Sequence, residues 1–587
     1  MSESAEQQIS KSQISKSQIS KSQISKSQIS KSQISKSPIS KPPISKPPIS
    51  KPPITNRQSP IASILLIVLL AAGLLCASVP GRSLWIDELF TVREVAEPSI
   101  PVLVEQVIQA ERRPPLHFLT LHVWSELTGY GEATQRAFSV ACLLLALPLV
   151  YALGRRLGNE AVALLSLLLT ATSPFLILYG PMVRAYSLTL LLGCLSTLAF
   201  LRWRERPTAT SWLGYLVTAL ALIYTDYVGL ALVLAQGLLG LKRSMFHVPS
   251  STFQFADCLP RLSASIRVQF WAAFGLLALA YLPWVGVIVA QVGRPVLPAD
   301  FAQSLPGYVL KIAYPFYSFS LGETIFPWHP AAVLGGLAVA VLAAKATTFW
   351  RERPHSAYVL AICLGVPLAF TIFLLSTFAT DITFLNVASR TALAAPYFYI
   401  FLAGGLARLD RSPQACQIWV IVLLAIAWVV SLTNLYTGRH YHNPIYAVPM
   451  RQIVQQVVAD SRPGDVVVAD PDSGFDYYLA RTGSGTTESA TMGTTESAPT
   501  LFSSVEADTL PGLQAAPPPR LWLVTLGRDR TRAMEPTALL SWLAGNYRLA
   551  ESRGYAPQDP RYQRFKQLLL HRPDYDYKAL VRLYVRR

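Results

Sequence analysis

Eleven predominantly apolar runs follow one another along this chain, at about 60–80, 135–153, 160–179, 185–201, 211–225, 227–241, 270–290, 330–347, 357–378, 391–408 and 416–436. A helix needs ~20 mostly apolar residues to cross the hydrocarbon core of a bilayer, so this pattern predicts an α-helical polytopic membrane protein with about eleven spans. The fifth and sixth runs are the shortest. The bulk composition agrees: 51% of residues are hydrophobic and 14% charged, against roughly a quarter charged in soluble domains.

The connecting loops orient the spans. With the N-terminus inside, the inner loops carry Arg155 and Arg156, then Arg202, Arg204 and Arg206, then Lys242, Arg243, Arg261 and Arg267, then Lys345, Arg351 and Arg353, and last Arg408 and Arg411. Cytoplasmic loops are enriched in Lys and Arg. The expected topology is therefore a cytoplasmic N-terminus and, after an odd number of spans, an extracytoplasmic C-terminal segment. The net charge of +17 is explained by these loops and the N-terminal tail, so no nucleic-acid partner is expected. The six cysteines form no CxxC pair and mostly lie inside apolar runs, where they read as small hydrophobes. About sixty polar residues precede the first apolar run, which reads as a retained anchor rather than a cleavable signal.

Three parts are expected. Residues 1–57 hold nine Ile-Ser-Lys copies in a five-residue repeat that drifts to Ile-Ser-Lys-Pro-Pro. That period fits neither a helix nor a strand face, so it reads as a disordered cytoplasmic tail, with binding to anionic membrane lipids as the alternative. Residues 58–436 form the transmembrane part. Residues 437–587 read as a small α/β domain: "MRQIVQQVVADSRPGDVVVADP" (450–471) predicts a helix, a turn and a Val-rich strand, and "LWLVTL" (521–526) a second strand. Between them, "GTTESATM" and "GTTESAPT" form a short duplication that reads as a loop.

The candidate site residues gather at the outer ends of the runs. "SLWIDELFTV" (83–92) places Asp87 and Glu88 just after the first span; they are either a solvated helix cap or functional acids. The rest of that loop, with Val95, Val102, Val104 and Ile108 among charges, predicts helices lying in the membrane interface. "RRPPLHF" (112–118) adds Arg113 and His117, and "LYGPMVRAYSL" (178–188) places Arg184 where the inside rule disfavours a cation. Charges at membrane depth are costly and mark functional sites. Carboxylates beside arginines at a lipid surface suit a substrate bearing a phosphate and hydroxyls: arginines hold the phosphate, and a carboxylate takes the proton of an attacking hydroxyl. Two adjacent acids can also serve a divalent cation. His440 and His442, in "GRHYHNP", are either metal ligands in a strand or loop residues.

The ordered set "LWIDELFT…RRPPLHFLTL…GRRLG…SPFLILYGPMVRAYSL" resembles the bacterial membrane glycosyltransferases related to protein O-mannosyltransferases and aminoarabinose transferases, most strongly over residues 84–230. The family pattern runs W-x-D-E, H-P-P-L-[YH], R-x-P-S, G-R-R-L-x-G, S-P, Q-E-A-R-x-Y. The resemblance implies the GT-C fold and transfer, with inversion, of a monosaccharide from a polyprenyl-phosphate carrier to a glycan, lipid or protein acceptor at the outer face of the inner (plasma) membrane. No nucleotide cofactor is then expected. It also implies that Asp87 is the general base, that Glu88 supports it or helps hold a metal, that Arg113 and His117 face the pocket, and that Arg184, with Tyr186 beside it, contacts the carrier phosphate. Arg390 resembles the arginine of a late Arg-Tyr pair, although Thr391 replaces the tyrosine. Pro181 and Met182 stand where the family has Gln-Glu, so one acid is missing. Asp226, in "IYTDYVGL", either takes its place or caps a helix. The alternatives are a transporter or lipid flippase, and an O-antigen ligase or polymerase type of enzyme. A transporter would show a pseudo-repeat and polar groups at mid-membrane, whereas this chain's polar groups lie at the outer helix ends.

Overall fold

The computed structural model describes residues 60–111, 113–241, 259–292, 305–377, 387–470, 473–482, 500–502, 509–526, 537–555, 560–569 and 579–587. The expectations for the 1–57 tail and for the duplication at 485–500, apart from Thr500, fall outside these residues, as do Arg112, Lys242 and Arg243.

The first span is α1 (Pro60–Ser78). Three short helices follow in the loop behind it, α2 (Ile86–Val95), α3 (Ile100–Ala110) and α4 (Leu116–Thr128). The bundle continues through α5 (Glu132–Leu157), α6 (Glu160–Thr172), α7 (Pro174–Tyr179), α8 (Tyr186–Glu205), α9 (Ala209–Ile223) and α10 (Val228–Leu241). It closes with α11 (Leu259–Val292), α12 (Leu305–Leu321), α13 (Pro330–Arg351), α14 (Pro354–Thr377), α15 (Val387–Arg390), α16 (Ala395–Arg408) and α17 (Gln414–Tyr436).

Among the described residues, eight helical segments are long and apolar enough to cross a membrane: α1, α5, α8, Val268–Gln291 of α11, α13, α14, Ala392–Arg411 around α16, and α17. The chain is a multi-pass helical protein. The expected count of eleven is not reached, because three of the runs form shorter pieces. The run at 160–179 breaks at Ser173–Pro174. There the Ser173 hydroxyl accepts the Leu176 amide and Pro174 opens α7, as a residue without an N–H can do only in a first turn. The fifth and sixth runs become α9 and α10, too short for the same criterion. Helix α12 was not anticipated: Lys311 and two prolines interrupt its apolar sequence.

Bundle helices meet closely through small residues. On α16, a Cβ on Gly405 would collide with the Leu342 carbonyl of α13, and one on Gly404 with Trp350. This is the close backbone approach that glycine permits between helices in lipid. Apolar side chains such as Leu65, Leu66 and Leu69 of α1 remain exposed on the outside, as expected of a surface solvated by lipid tails.

After α17 come α18 (Met450–Asp460), α19 (Phe475–Thr482) and a five-stranded sheet. Its strands are β1 (Val466–Ala469), β2 (Thr500–Phe502), β3 (Arg520–Leu526), β4 (Tyr547–Tyr555) and β5 (Ala579–Arg586), in the order β2-β1-β3-β5-β4. β1 is parallel to β2 and β3, and β5 lies antiparallel between β3 and β4. Strand alternation sends Val467, Trp522, Val524, Val581 and Leu583 to one face and Val468, Leu521, Leu523 and Tyr584 to the other.

The first of these faces is not closed by the C-terminal segment alone. It shares one apolar core with the loop helices, through Leu84, Leu89, Val92 and Val95 of the α2 region, Leu103 and Val107 of α3, and Phe118 and Leu121 of α4. Polar contacts pin the joint. The Leu84 amide donates to the Tyr478 hydroxyl at 2.6 Å, and the Arg451 amide to the Ser83 hydroxyl at 3.0 Å. Gly474, at φ +73°, backs directly onto Leu89, where any side chain would clash.

Candidate active site

Helix α2 carries the two acids of the first loop, and its first turn separates them. Glu88 points inward and is 1% exposed. Its carboxylate accepts the Val183 amide at 2.8 Å, the Trp85 amide at 3.3 Å and the Arg136 guanidinium at 3.3 Å. It thus closes the first turn of α2 from the third helical position and ties that turn to α5 and to the residue before Arg184. With its oxygens so engaged, Glu88 does not stand beside Asp87 as a second open carboxylate. Among the described residues, no group of three His, Cys, Asp or Glu side chains is arranged to hold a metal ion. Asp87 points the other way, with its side chain 30% exposed.

Arg184 stands at the centre of the site. It is held in the loop between α7 and α8 and is 4% exposed. Its Nη1 donates to the Asp87 carbonyl at 2.9 Å and the Thr91 hydroxyl at 2.6 Å. Both terminal nitrogens fork onto the Glu111 carboxylate, at 2.7 and 3.0 Å. The Asp87 carboxylate lies 4.0 Å away. Burial opposes the guanidinium charge, but Glu111 and Asp87 outweigh it and push the Arg184 pKa further up. Burial likewise works to raise the Glu111 carboxyl, but Arg184, Arg113 and Arg390 overcome it and leave it below its ordinary value.

A second ion pair lies beside the first. Arg113 donates to Asp226 at 2.6 Å and lies over the Tyr186 ring, 5.4 Å from its centroid. The other Asp226 oxygen accepts the Val228 amide at 3.1 Å. Asp226 therefore caps the start of α10 and faces the arginine cluster at once. His117, 1% exposed, has both ring nitrogens without a hydrogen-bond partner. Burial first, then the positive charges of Arg184 and Arg113, depress its pKa to about 3. It is a neutral imidazole beside two guanidiniums.

The structure thus brings Asp87, Arg184, Tyr186, Arg113, His117, Asp226 and Arg390 into one neighbourhood at the same end of the bundle. It adds three residues that the sequence reading did not single out. Glu111 directly precedes the Arg-Arg-Pro-Pro stretch. Thr91 and Glu94 follow Asp87 at helical spacings of four and seven and share its face of α2. Glu94 is 7% exposed and neither of its oxygens has a hydrogen-bond partner. Burial, then the Glu111 charge, raises its pKa to about 8 although Arg184 opposes them. His442 lies elsewhere, in a loop after α17, between the Tyr314 hydroxyl and the Ile325 carbonyl at 2.8 Å each.

Residues 112–252 match the profile of a family described as dolichyl-phosphate-mannose-protein mannosyltransferase. The matched segment includes Arg113, His117, Arg184, Tyr186 and Asp226. Among solved structures, the chain is similar to ArnT from Cupriavidus metallidurans in the apo state, with 12% identity over 89% of this chain and 98% of that one, at a TM-score of 0.47. The same protein bound to undecaprenyl phosphate gives 12%, 89%, 98% and 0.46. An apo oligosaccharyltransferase from Archaeoglobus fulgidus gives 11% identity over 72% of this chain and 64% of that one, at 0.42. No curated protein matches the chain by sequence.

Proposed function

We propose that this chain is an inverting GT-C glycosyltransferase that moves a monosaccharide from a polyprenyl-phosphate carrier to an acceptor hydroxyl at the outer face of the cytoplasmic membrane. The observation that carries this reading is the pairing of a solvent-accessible carboxylate, Asp87, with a buried arginine, Arg184, 4.0 Å away; Arg184, though not Asp87, lies in the segment that matches a family described as dolichyl-phosphate-mannose-protein mannosyltransferase. The acceptor oxygen attacks the anomeric carbon while Asp87 takes its proton. The bond from that carbon to the phosphate oxygen breaks on the opposite face, and its electron pair leaves with the carrier phosphate. Arg184, Arg113 and Arg390 offset the charge that develops there, in a site where fixed guanidiniums need no reorganisation. Neutral His117 is free to hydrogen-bond the donor's phosphate or sugar.

Glu88 enters this scheme as a positioning residue, because it fixes α2 against the loop of Arg184. The basic inner loops and the accumulation of site residues at the opposite helix ends support an outward-facing site. The test is an in-vitro transfer assay over a panel of polyprenyl-phosphate sugars with wild type and Asp87→Asn. Transfer by wild type alone is the expected outcome; equal turnover by the two removes Asp87 from the chemistry.

A further inference from the structure

The anion that Arg184 grips is part of the protein itself. Its guanidinium is buried and its two terminal nitrogens fork onto Glu111 at 2.7 and 3.0 Å. A carboxylate and a phosphate satisfy this fork in the same way. Arg113 and Arg390 also act on the Glu111 charge, so the positive field of the site converges on one carboxylate. The two partners differ in how they are held. Arg184 keeps the Asp87 carbonyl and the Thr91 hydroxyl as further acceptors, so its position does not depend on Glu111. Glu111 lies just past the end of α3 in extended backbone. Its main chain is fixed by an N–H bond to the Val107 carbonyl and by the Gln291 amide on its own carbonyl. Among the described residues, its side chain is held by hydrogen bonds from the arginine alone.

We propose that Glu111 is an internal stand-in for the donor phosphate: its carboxylate occupies the place at Arg184 that the phosphate takes, and donor binding exchanges one anion for the other. This rests on the reading of the site as a polyprenyl-phosphate site. The exchange keeps a buried guanidinium paired in the unliganded protein, where an uncompensated charge is strongly destabilising. It also makes the donor compete with a tethered carboxylate, which weakens its binding relative to an open arginine.

The test measures the dissociation constant of an undecaprenyl monophosphate probe for the full-length protein in nanodiscs. Glu111→Gln removes the competing charge and tightens binding about tenfold; Glu111→Asp keeps the charge but is too short to fork, and tightens it by a smaller step. If Glu111 instead orients Arg184 for the phosphate, both variants weaken binding, and that result, or no change, overturns the proposal. A wild-type structure with the probe bound needs no variant. The expected state has Arg184 on the phosphate and Glu111 released, and an intact Arg184–Glu111 fork beside bound probe overturns the proposal. The two readings fail separately. Tighter probe binding by Glu111→Gln without sugar transfer by wild type would sink the transferase alone. Transfer with weakened binding would sink the stand-in alone.

Discussion

Two largely enclosed carboxyl groups, Glu111 and Glu323, live in opposite surroundings. Glu111 lies among three arginines that hold it ionised. Glu323, in the turn between α12 and α13, pairs with no cation among the described residues: it accepts the Tyr179 hydroxyl at 2.7 Å, and its backbone carbonyl accepts the His442 amide at 2.9 Å. Burial raises its pKa to about 8, only partly opposed by the Tyr179 hydroxyl and the nearby hydroxyls of Ser318 and Tyr314. Around it His442 stacks on Phe326 with ring centroids 5.2 Å apart. The first neighbourhood stores opposed charges beside an accessible acid. The second is a neutral hydrogen-bonded plug joining α12, α13 and the segment after α17. Burial of an acid thus identifies neither a working group nor a structural one. The sign of its neighbours and a path to solvent do.

Substitutions sharpen that contrast. Asp87→Asn should cost most, about 10²–10⁴-fold in turnover for loss of a general base, with unchanged membrane level checked by immunoblot. Arg184→Gln comes next. It leaves Glu111 buried without its main partner, so a stability loss of about 3–5 kcal/mol and a large rise in donor KM are expected, read by thermal unfolding and transfer kinetics. Glu88→Gln keeps the shape but discharges the Arg136 pair. Here the expected loss is about 1–3 kcal/mol of stability, while turnover per folded molecule stays within about tenfold of wild type; turnover as low as that of Asp87→Asn would move Glu88 into the chemistry.

Glu323→Gln should do least near neutral pH, about 1 kcal/mol or less, since it replaces a protonated carboxyl with a neutral amide. Its signature is pH-dependent. A folded pKa of about 8 against an ordinary 4.5 means that the folded state binds the extra proton across that window, so this group's stabilisation is full below pH 4.5 and is lost as pH rises towards 8. Unfolding measured between pH 5 and 8 should fall in midpoint for wild type and fall less for Glu323→Gln. Equal slopes would show that Glu323 is ionised in the fold.

Much of this was legible because lipid restricts composition. The long runs of α1, α5, α13, α14 and α17 were plain, since nothing but apolar side chains can face hydrocarbon along their length. Runs with local chemistry were misjudged. Ser173–Pro174 ends a helix inside a continuous apolar stretch, and Lys311 hides a helix whose cation is buried by neighbours remote in sequence. Strand β4, "YRLAESRGY", is mostly exposed and carries no apolar alternation to find. In the site, Asp87, Arg113 and Arg184 lay within recognisable stretches. Glu111 was one residue outside such a stretch, and Glu94 gains its surroundings only when α3 and the α7–α8 loop fold against α2.

The core that α2, α3 and α4 share with the last sheet has a consequence for biogenesis. Leu84 and Leu89 leave the ribosome hundreds of residues before Trp522, Val581 and Leu583, which complete their packing. The loop bearing Asp87 is therefore made early and finished late, and a chain stopped after α17 would expose it as unsealed apolar surface. The packing around Asp87 is thus completed only after the strand at Ala579–Arg586 has been made.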